Sequence, residues 1–232
     1  MKYSLVIPCY NEAKNLPYLF EKFNFFIDKN IEVIIVNNGS KDNSREILEQ
    51  LITKFSFVRI CNVKDNIGYG FGITSGLKLA KGEFIGYTHA DLQTDPKDVL
   101  KALQIIANHS DPKNCFVKGN RKKRPNFDKF FTVGMSIFET IYLKTRLWDI
   151  NAQPNIFHRS FFEYIKSSCP KDFSLDLYLL YMAKKKSLNI MRFDVFFPDR
   201  LYGVSSWNTG LVSKWKFMQR TFKFSKKLKK SI

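Results

Sequence analysis

An imidazole, a carboxylate and an amide oxygen fall at alternate positions in Thr88-His89-Ala90-Asp91-Leu92-Gln93-Thr94-Asp95-Pro96. At the end of a strand, alternate residues point the same way, so His89, Asp91 and Gln93 are expected to face one side. These donor types can hold Mg2+ or Mn2+, with waters and diphosphate oxygens completing an octahedral shell. Such a metal neutralises charge on a departing nucleotide diphosphate. The competing reading of His89 is a histidine packed at the edge of a cleft. Asp95-Pro96 reads as a cap followed by a first-turn proline.

Two other segments carry polar groups that suit a nucleoside. Pro8-Cys9-Tyr10-Asn11-Glu12 leaves a buried run and then presents a ring and two polar side chains, which can cradle a base and ribose. Asn37-Asn38-Gly39-Ser40 places a glycine turn before a Ser/Asp/Asn-rich helix start, where capping alone explains Asp42 or Asn43. The Asn38 amide offers both a donor and an acceptor to a pyrimidine edge.

These segments need a frame that brings them together. Short apolar runs at Leu5 to Pro8, Glu32 to Asn37, Val58 to Val63, Glu83 to Thr88 and Phe116 to Gly119 read as strands. Amphipathic stretches near 15–29, 43–55, 70–81 and 96–109 lie between them, and the alternation argues for an α/β fold with a mainly parallel sheet flanked by helices. Ligands of such sheets bind at the carboxyl ends of the strands, where all three polar segments sit. Beyond residue 125 the pattern turns helical, near 127–147 and 173–187, before a strand at Asn189 to Phe197. The expected division is a catalytic domain over 1–200 and a basic segment over 201–232.

That last segment contains no acidic residue after Asp199, while Trp207, Leu211, Trp215, Met218 and Phe222 recur at helical steps. It reads as a basic amphipathic C-terminal helix, either packed on the core or docked on an anionic membrane surface. The net charge of +17 asks for an anionic partner, yet no nucleic-acid motif accompanies it, so nucleic acid is not expected. Four scattered cysteines, Cys9, Cys61, Cys115 and Cys169, lack zinc-site spacing and read as reduced thiols. Neither a signal segment nor a membrane span is evident, which suggests a cytoplasmic protein held at most peripherally on a membrane. The glycines at 68, 70, 72 and 76 never make the G-x-G-x-x-G spacing of a dinucleotide fold, and no P-loop occurs.

Taken in order, Pro8 to Glu12, Asn37 to Ser40, Asn66-Ile67-Gly68-Tyr69-Gly70, Ala90-Asp91-Leu92-Gln93, Gly119-Asn120-Arg121 and Arg200-Leu201-Tyr202-Gly203-Val204-Ser205 resemble the family 2 glycosyltransferases. The resemblance is to the branch of dolichyl- and polyprenyl-phosphate sugar synthases and covers residues 3 to about 205. It implies a GT-A-type nucleotide-sugar-binding fold and an inverting hexosyltransferase. It also implies nucleoside contacts from Tyr10, Glu12 and Asn38, with Pro8, Asn11, Ser40, Gly68, Gly70 and Ala90 in the same matching segments. Asp91 and Gln93 would meet metal and diphosphate, and Arg121 and Arg200 would bind phosphate oxygens. Three departures stand out: Asn37-Asn38 replaces an acidic pair, His89 replaces an aspartate, and Ser206 replaces a lysine.

An Asn amide can accept from uracil N3–H or flip to donate to cytosine, so a UDP-sugar is the favoured donor, with CDP and GDP open. Arg121, Arg124, Arg200, Ser205 and the basic tail favour an anionic lipid-linked acceptor, polyprenyl phosphate, with Ser136 a further candidate to orient its phosphate. If the acceptor is a hydroxyl on a glycolipid or glycan, a carboxylate must take its proton, and Asp176 is the candidate. Its other reading is a charge at a helix start. A membrane partner protein or a second copy could supply an anchor. A non-catalytic lipid- or RNA-binding relative is the rival of another class.

Overall fold

The computed structural model describes residues 2–122, 126–198, 200, 202 and 210–230. Seven strands form one sheet: β1 (Tyr3–Cys9), β2 (Ile31–Asn38), β3 (Val58–Val63), β4 (Phe84–Tyr87), β5 (Cys115–Lys122), β6 (Asn155–His158) and β7 (Asn189–Phe196). Their order is β3-β2-β1-β4-β6-β5-β7, parallel throughout except for β6, which runs against both β4 and β5. Because β6 opposes both neighbours, β4 and β5 point the same way. The exits of β1, β2, β4 and β5 therefore share one edge.

Alternation sorts the strand side chains onto two cores. Leu5, Ile7, Val33 and Ile35 pack under α1 (Leu16–Lys22), α2 (Ser44–Leu51) and α4 (Asp98–Ala107). Val6, Ile34, Val36 and Phe157 pack under α3 (Tyr69–Leu79), α6 (Arg159–Ile165) and α7 (Leu175–Lys185). Helix α3 lies directly on β1 and β2 because Gly76 has no side chain: a Cβ there would stand 2.5 Å from Val6 Cγ1 and 2.7 Å from Val36 Cγ2.

Three elements depart from expectation. β6 and α6 were not predicted: β6 is four residues long, with Ile156-Phe157 its only apolar pair, and a run this short carries no period. The C-terminal helix α8 (Leu211–Lys230) buries Phe217, Thr221, Ser225 and Leu228 rather than the predicted face. Trp215 is 58% and Phe222 44% exposed, while Trp207 lies outside the described residues.

Helix α8 packs on α5 (Asn126–Tyr142) around a buried acid. Glu139 of α5 is fully buried, accepts a hydrogen bond from Ser225 Oγ at 2.7 Å, and has no partner for Oε1 among the described residues. Burial pushes its carboxyl up to about 7, and the Ser225 bond only partly offsets this. The folded state therefore holds a proton that the unfolded chain, titrating near 4.5, releases earlier. The associated stability is complete below the unfolded value and is lost as pH rises through about 7. Wild-type protein is expected to lose on the order of 3 kcal/mol between pH ~5 and ~8 through this group, and Glu139→Gln to flatten that slope. Urea melts at several pH values check this, and parallel profiles would refute it.

Candidate active site

The loop after β1 is fastened to the loop after β2. Asn11, at φ 56°, donates its N–H to Ser40 Oγ (3.1 Å) and accepts from the Lys41 N–H through Oδ1 (2.8 Å). The Glu12 N–H donates to Ser44 Oγ and the Ala13 N–H to Asp42 Oδ2. Gly39 makes this approach possible: its φ is +70°, and a Cβ would fall 2.5 Å from the Asn66 nitrogen. These bonds hold Tyr10, Asn11 and Glu12 over the edge of the sheet.

Asn38 closes the floor. It is buried, its Nδ2 donates to the Gly68 carbonyl (3.1 Å) and to Asn66 Oδ1 (3.3 Å), and its Oδ1 has no partner among the described residues. Gly70 sits in the first turn of α3, while Pro8 lies half-buried at the end of β1. Ala90 is buried in the loop after β4.

Asp91 and Gln93 meet as expected, but by a different route. β4 ends at Tyr87, so strand alternation does not reach them; a turn through Leu92 (φ 60°) brings the Gln93 N–H to Asp91 Oδ1 at 3.1 Å. Arg200 then bridges the pair, with Nη2 2.7 Å from Asp91 Oδ2 and Nε 3.2 Å from Gln93 Oε1. Pro198 accepts from Gln93 Nε2, and Tyr202 stacks on Tyr18 at 5.7 Å. Burial raises the Glu12 carboxyl; the Asn15 bond opposes this, the Asp91 charge adds to it, and Arg200 lowers it. His89 packs edge-on to Phe197 at 6.4 Å, and burial lowers its pKa against the pull of Asp91 and Asp176.

Beyond these lies a pocket between α5, α7 and α8, lined by Arg121, Ser136, Phe173, Leu177 and Phe217 among others. Arg121 is anchored there by Asp149, which accepts from its Nε (2.9 Å), its backbone N–H (3.0 Å) and its Nη2. Burial raises the Asp149 carboxyl, but the Arg121 charge and hydrogen bonds hold it below the usual range. Arg124 and Ser205 lie outside the described residues.

Asp176 stands beneath the cleft rather than at its surface. It is 2% exposed and accepts from the hydroxyls of Tyr87 (2.5 Å) and Tyr69 (3.2 Å), with Asn155 Nδ2 at 3.5 Å. Lys118, fully buried, donates to the Ala152 carbonyl (2.5 Å) and to Asn155 Oδ1 (2.9 Å), and burial drops its ammonium to about 7. Sequence reasoning missed Asp149, Lys118, Tyr87 and Asn155. Lys118 lies within a predicted strand, where a lysine reads as solvent-facing. Asp149 carries no local pattern at all.

Comparison with known proteins gives the family and the fold. The chain is 34% identical over 107 residues to an uncharacterized glycosyltransferase, YkcC, of Bacillus subtilis, covering 45% of this chain and 33% of that one. It is 32% identical over 138 residues to a dolichol-phosphate mannosyltransferase of Pyrococcus furiosus, covering 58% and 39%. The chain thus spans well under half the length of these curated relatives. Among solved structures, glucosyl-3-phosphoglycerate synthase of Mycobacterium tuberculosis, in complex with Mn2+, UDP and glucosyl-3-phosphoglycerate, superposes at a TM-score of 0.72. The match covers all of this chain and 80% of that one at 14% identity, which speaks for a common GT-A fold. The model for Glycosyl transferase family 2 matches residues 4–164, most of the sheet and the whole Asp91 turn, and the chain belongs to that family.

Proposed function

We propose that this chain is an inverting transferase that takes a sugar from a nucleotide-sugar, UDP-linked by preference, and passes it to polyprenyl phosphate. The observation that carries this is Asp91, a buried carboxylate at the sheet edge already paired with a guanidinium. A site that selects a cation on one oxygen suits a divalent metal. Among the described residues no three His, Cys, Asp or Glu side chains gather to hold a metal unaided. The fit is therefore to an ion shared with the donor diphosphate, as is usual for Mg2+, with Asp91 and Gln93 as oxygen donors and neutral His89 as a nitrogen donor better suited to Mn2+. When bound, Mg2+ or Mn2+ supplies charge neutralisation on the departing diphosphate. Arg200, within reach of both Asp91 and Gln93, binds the same phosphate oxygens with a fork that never loses its charge. The M. tuberculosis synthase holding Mn2+ and UDP supports the reading.

Asn38 favours uracil. Its Nδ2 is committed to Gly68 and Asn66, whereas its Oδ1 remains to accept from a base N3–H. Tyr10 supplies a stacking face and Glu12 a ribose acceptor. The pocket beside Arg121 supports a lipid phosphate: a guanidinium and the Ser136, Thr132 and Asn151 polar groups stand among Phe131, Met135, Phe173, Leu177 and Phe217. A phosphate nucleophile is ionised already, so no base is needed. The rate then comes from positioning and charge stabilisation. The dolichol-phosphate mannosyltransferase relative points the same way. We place the work peripherally, on the cytoplasmic face of a membrane; no helix among the described residues is long and apolar enough to cross one.

Nucleotide release with manganese, across UDP-, GDP- and CDP-sugars and with or without a short polyprenyl phosphate, tests the proposal. Release that depends on UDP-sugar and lipid phosphate is expected, and release only with hydroxyl acceptors would overturn the acceptor. The Asp176 network offers a second check. With both oxygens occupied by tyrosines, Asp176 serves as a positioning residue, so Asp176→Asn is expected to keep turnover on polyprenyl phosphate within about tenfold, whereas loss of a general base costs about 10²–10⁴. A drop in that larger range, with the fold intact by circular dichroism, would restore the hydroxyl-acceptor reading.

A further inference from the structure

Helix α5 carries apolar side chains that no described residue covers. Phe130 is 80%, Ile137 51% and Ile141 72% exposed, and steps of seven and four put them on one stripe. Gly134 falls on the same stripe, with open space where a Cβ would stand. Helix α8 shows a second stripe of Val212, Trp215 and Phe222. The two join, because Phe222 packs on Phe138 (5.5 Å) and Tyr142 (5.6 Å) of α5. A water-soluble surface seldom leaves so much contiguous apolar area without a use.

Among the described side chains of α5 and α8, the exposed charges have one sign. Lys216, Lys223, Lys226 and Lys230 are exposed along α8, Lys229 sits over the Tyr142 ring, and residues 210–230 include no acid. In α5, which also contains Asp128, the acid with a described side chain, Glu139, is turned inward and fully buried. Apolar stripes beside a row of exposed lysines match the headgroup boundary of an anionic bilayer. A second copy would bring lysine against lysine across a two-fold axis. Nucleic acid has no use for exposed isoleucines.

We infer that α5 and α8 together form one docking surface for an anionic lipid bilayer, with α5 supplying most of the inserted apolar area. The sequence pointed to the tail alone. The inner sides of the same helices, through Phe131, Ser136, Phe217 and Thr221, line the pocket beside Arg121, so docking would place that pocket directly over the membrane. This last step rests on the lipid-acceptor reading; docking itself does not.

Full-chain protein is sedimented with vesicles of phosphatidylcholine, alone or mixed with phosphatidylserine and free of polyprenyl phosphate, at low and high salt. Binding to the anionic vesicles that weakens with salt is expected. Phe130→Ser/Ile137→Ser/Ile141→Ser should cut the bound fraction at least about tenfold, and Lys223→Gln/Lys226→Gln should cut it and its salt dependence. Transfer to a short soluble acceptor should be unchanged in the triple variant. Should that variant misfold, Ile141→Ser alone carries the test with a smaller loss. Undiminished binding by the folded triple variant, equal binding to neutral vesicles, or a dimer in free solution that the triple variant abolishes would each overturn the inference. Because the vesicles carry no acceptor, failure here and failure of the acceptor reading are separate results.

Discussion

Asp91→Asn is expected to lower metal-dependent nucleotide release by at least about a hundredfold while leaving the protein folded. The side chain keeps its shape and its Oδ1 still accepts from the Gln93 N–H, so the turn survives. What disappears is the negative charge that holds a cation beside the diphosphate. Folding is spared because the charge is not purely stabilising: Arg200 attracts it at 2.7 Å, yet it also raises the Glu12 carboxyl by repulsion. Arg200 itself keeps a 22% exposed side chain and a second partner in Gln93, so it is not stranded. Nucleotide release, read beside a thermal melt, decides the matter. Turnover at the wild-type rate would remove Asp91 from the metal site.

Arg121→Ala should have the opposite signature, a large loss of stability. The guanidinium is 6% and its partner Asp149 8% exposed, and the pair is fixed by both side-chain and backbone donors. Removing one member of such a pair leaves the other charged in a poorly solvated place and costs about 3–5 kcal/mol. Arg121 also covers the Phe197 ring at 5.3 Å, contact that alanine cannot replace. Arg121→Ala/Asp149→Ala should recover much of the loss, since no orphan charge remains. If Arg121 in addition meets the acceptor, that double variant will fold and still show a raised KM for acceptor with donor KM unchanged. Denaturant melts of the single and double variants, followed by acceptor titration, separate the two roles; equal melts for wild type and Arg121→Ala would discard the first.

The sequence made the parallel half of the sheet legible because β1 and β2 are largely apolar runs, buried on both faces, with turn residues at their ends, while β3 at the edge keeps Val58 and Ile60 at alternate positions. It could not reveal β6, whose place in the sheet comes from pairing with β4 and β5 rather than from its own four residues. The meeting of Asp91 and Gln93 was equally readable, since they lie two positions apart. That Arg200 reaches them depends on a contact spanning more than a hundred residues, which only the family resemblance suggested. Asp149 and Lys118 had no such help. Each is a charged residue in an apolar neighbourhood, and only the partner across the fold explains why it is tolerated.

The antiparallel strand also sets an order of events on the ribosome. β1 to β4 can pair as soon as Tyr87 has emerged, giving a four-stranded sheet with local crossovers. β5 has no edge to join until β6 is made, because β6 alone connects it to β4. While α5 is being synthesised, the nascent chain therefore displays a bare β4 edge and an unpaired β5. Unsatisfied edges of this kind recruit other chains or chaperones. Nascent chains stalled between Lys122 and Asn155 should be the most aggregation-prone of all lengths, and those released past His158 should become soluble.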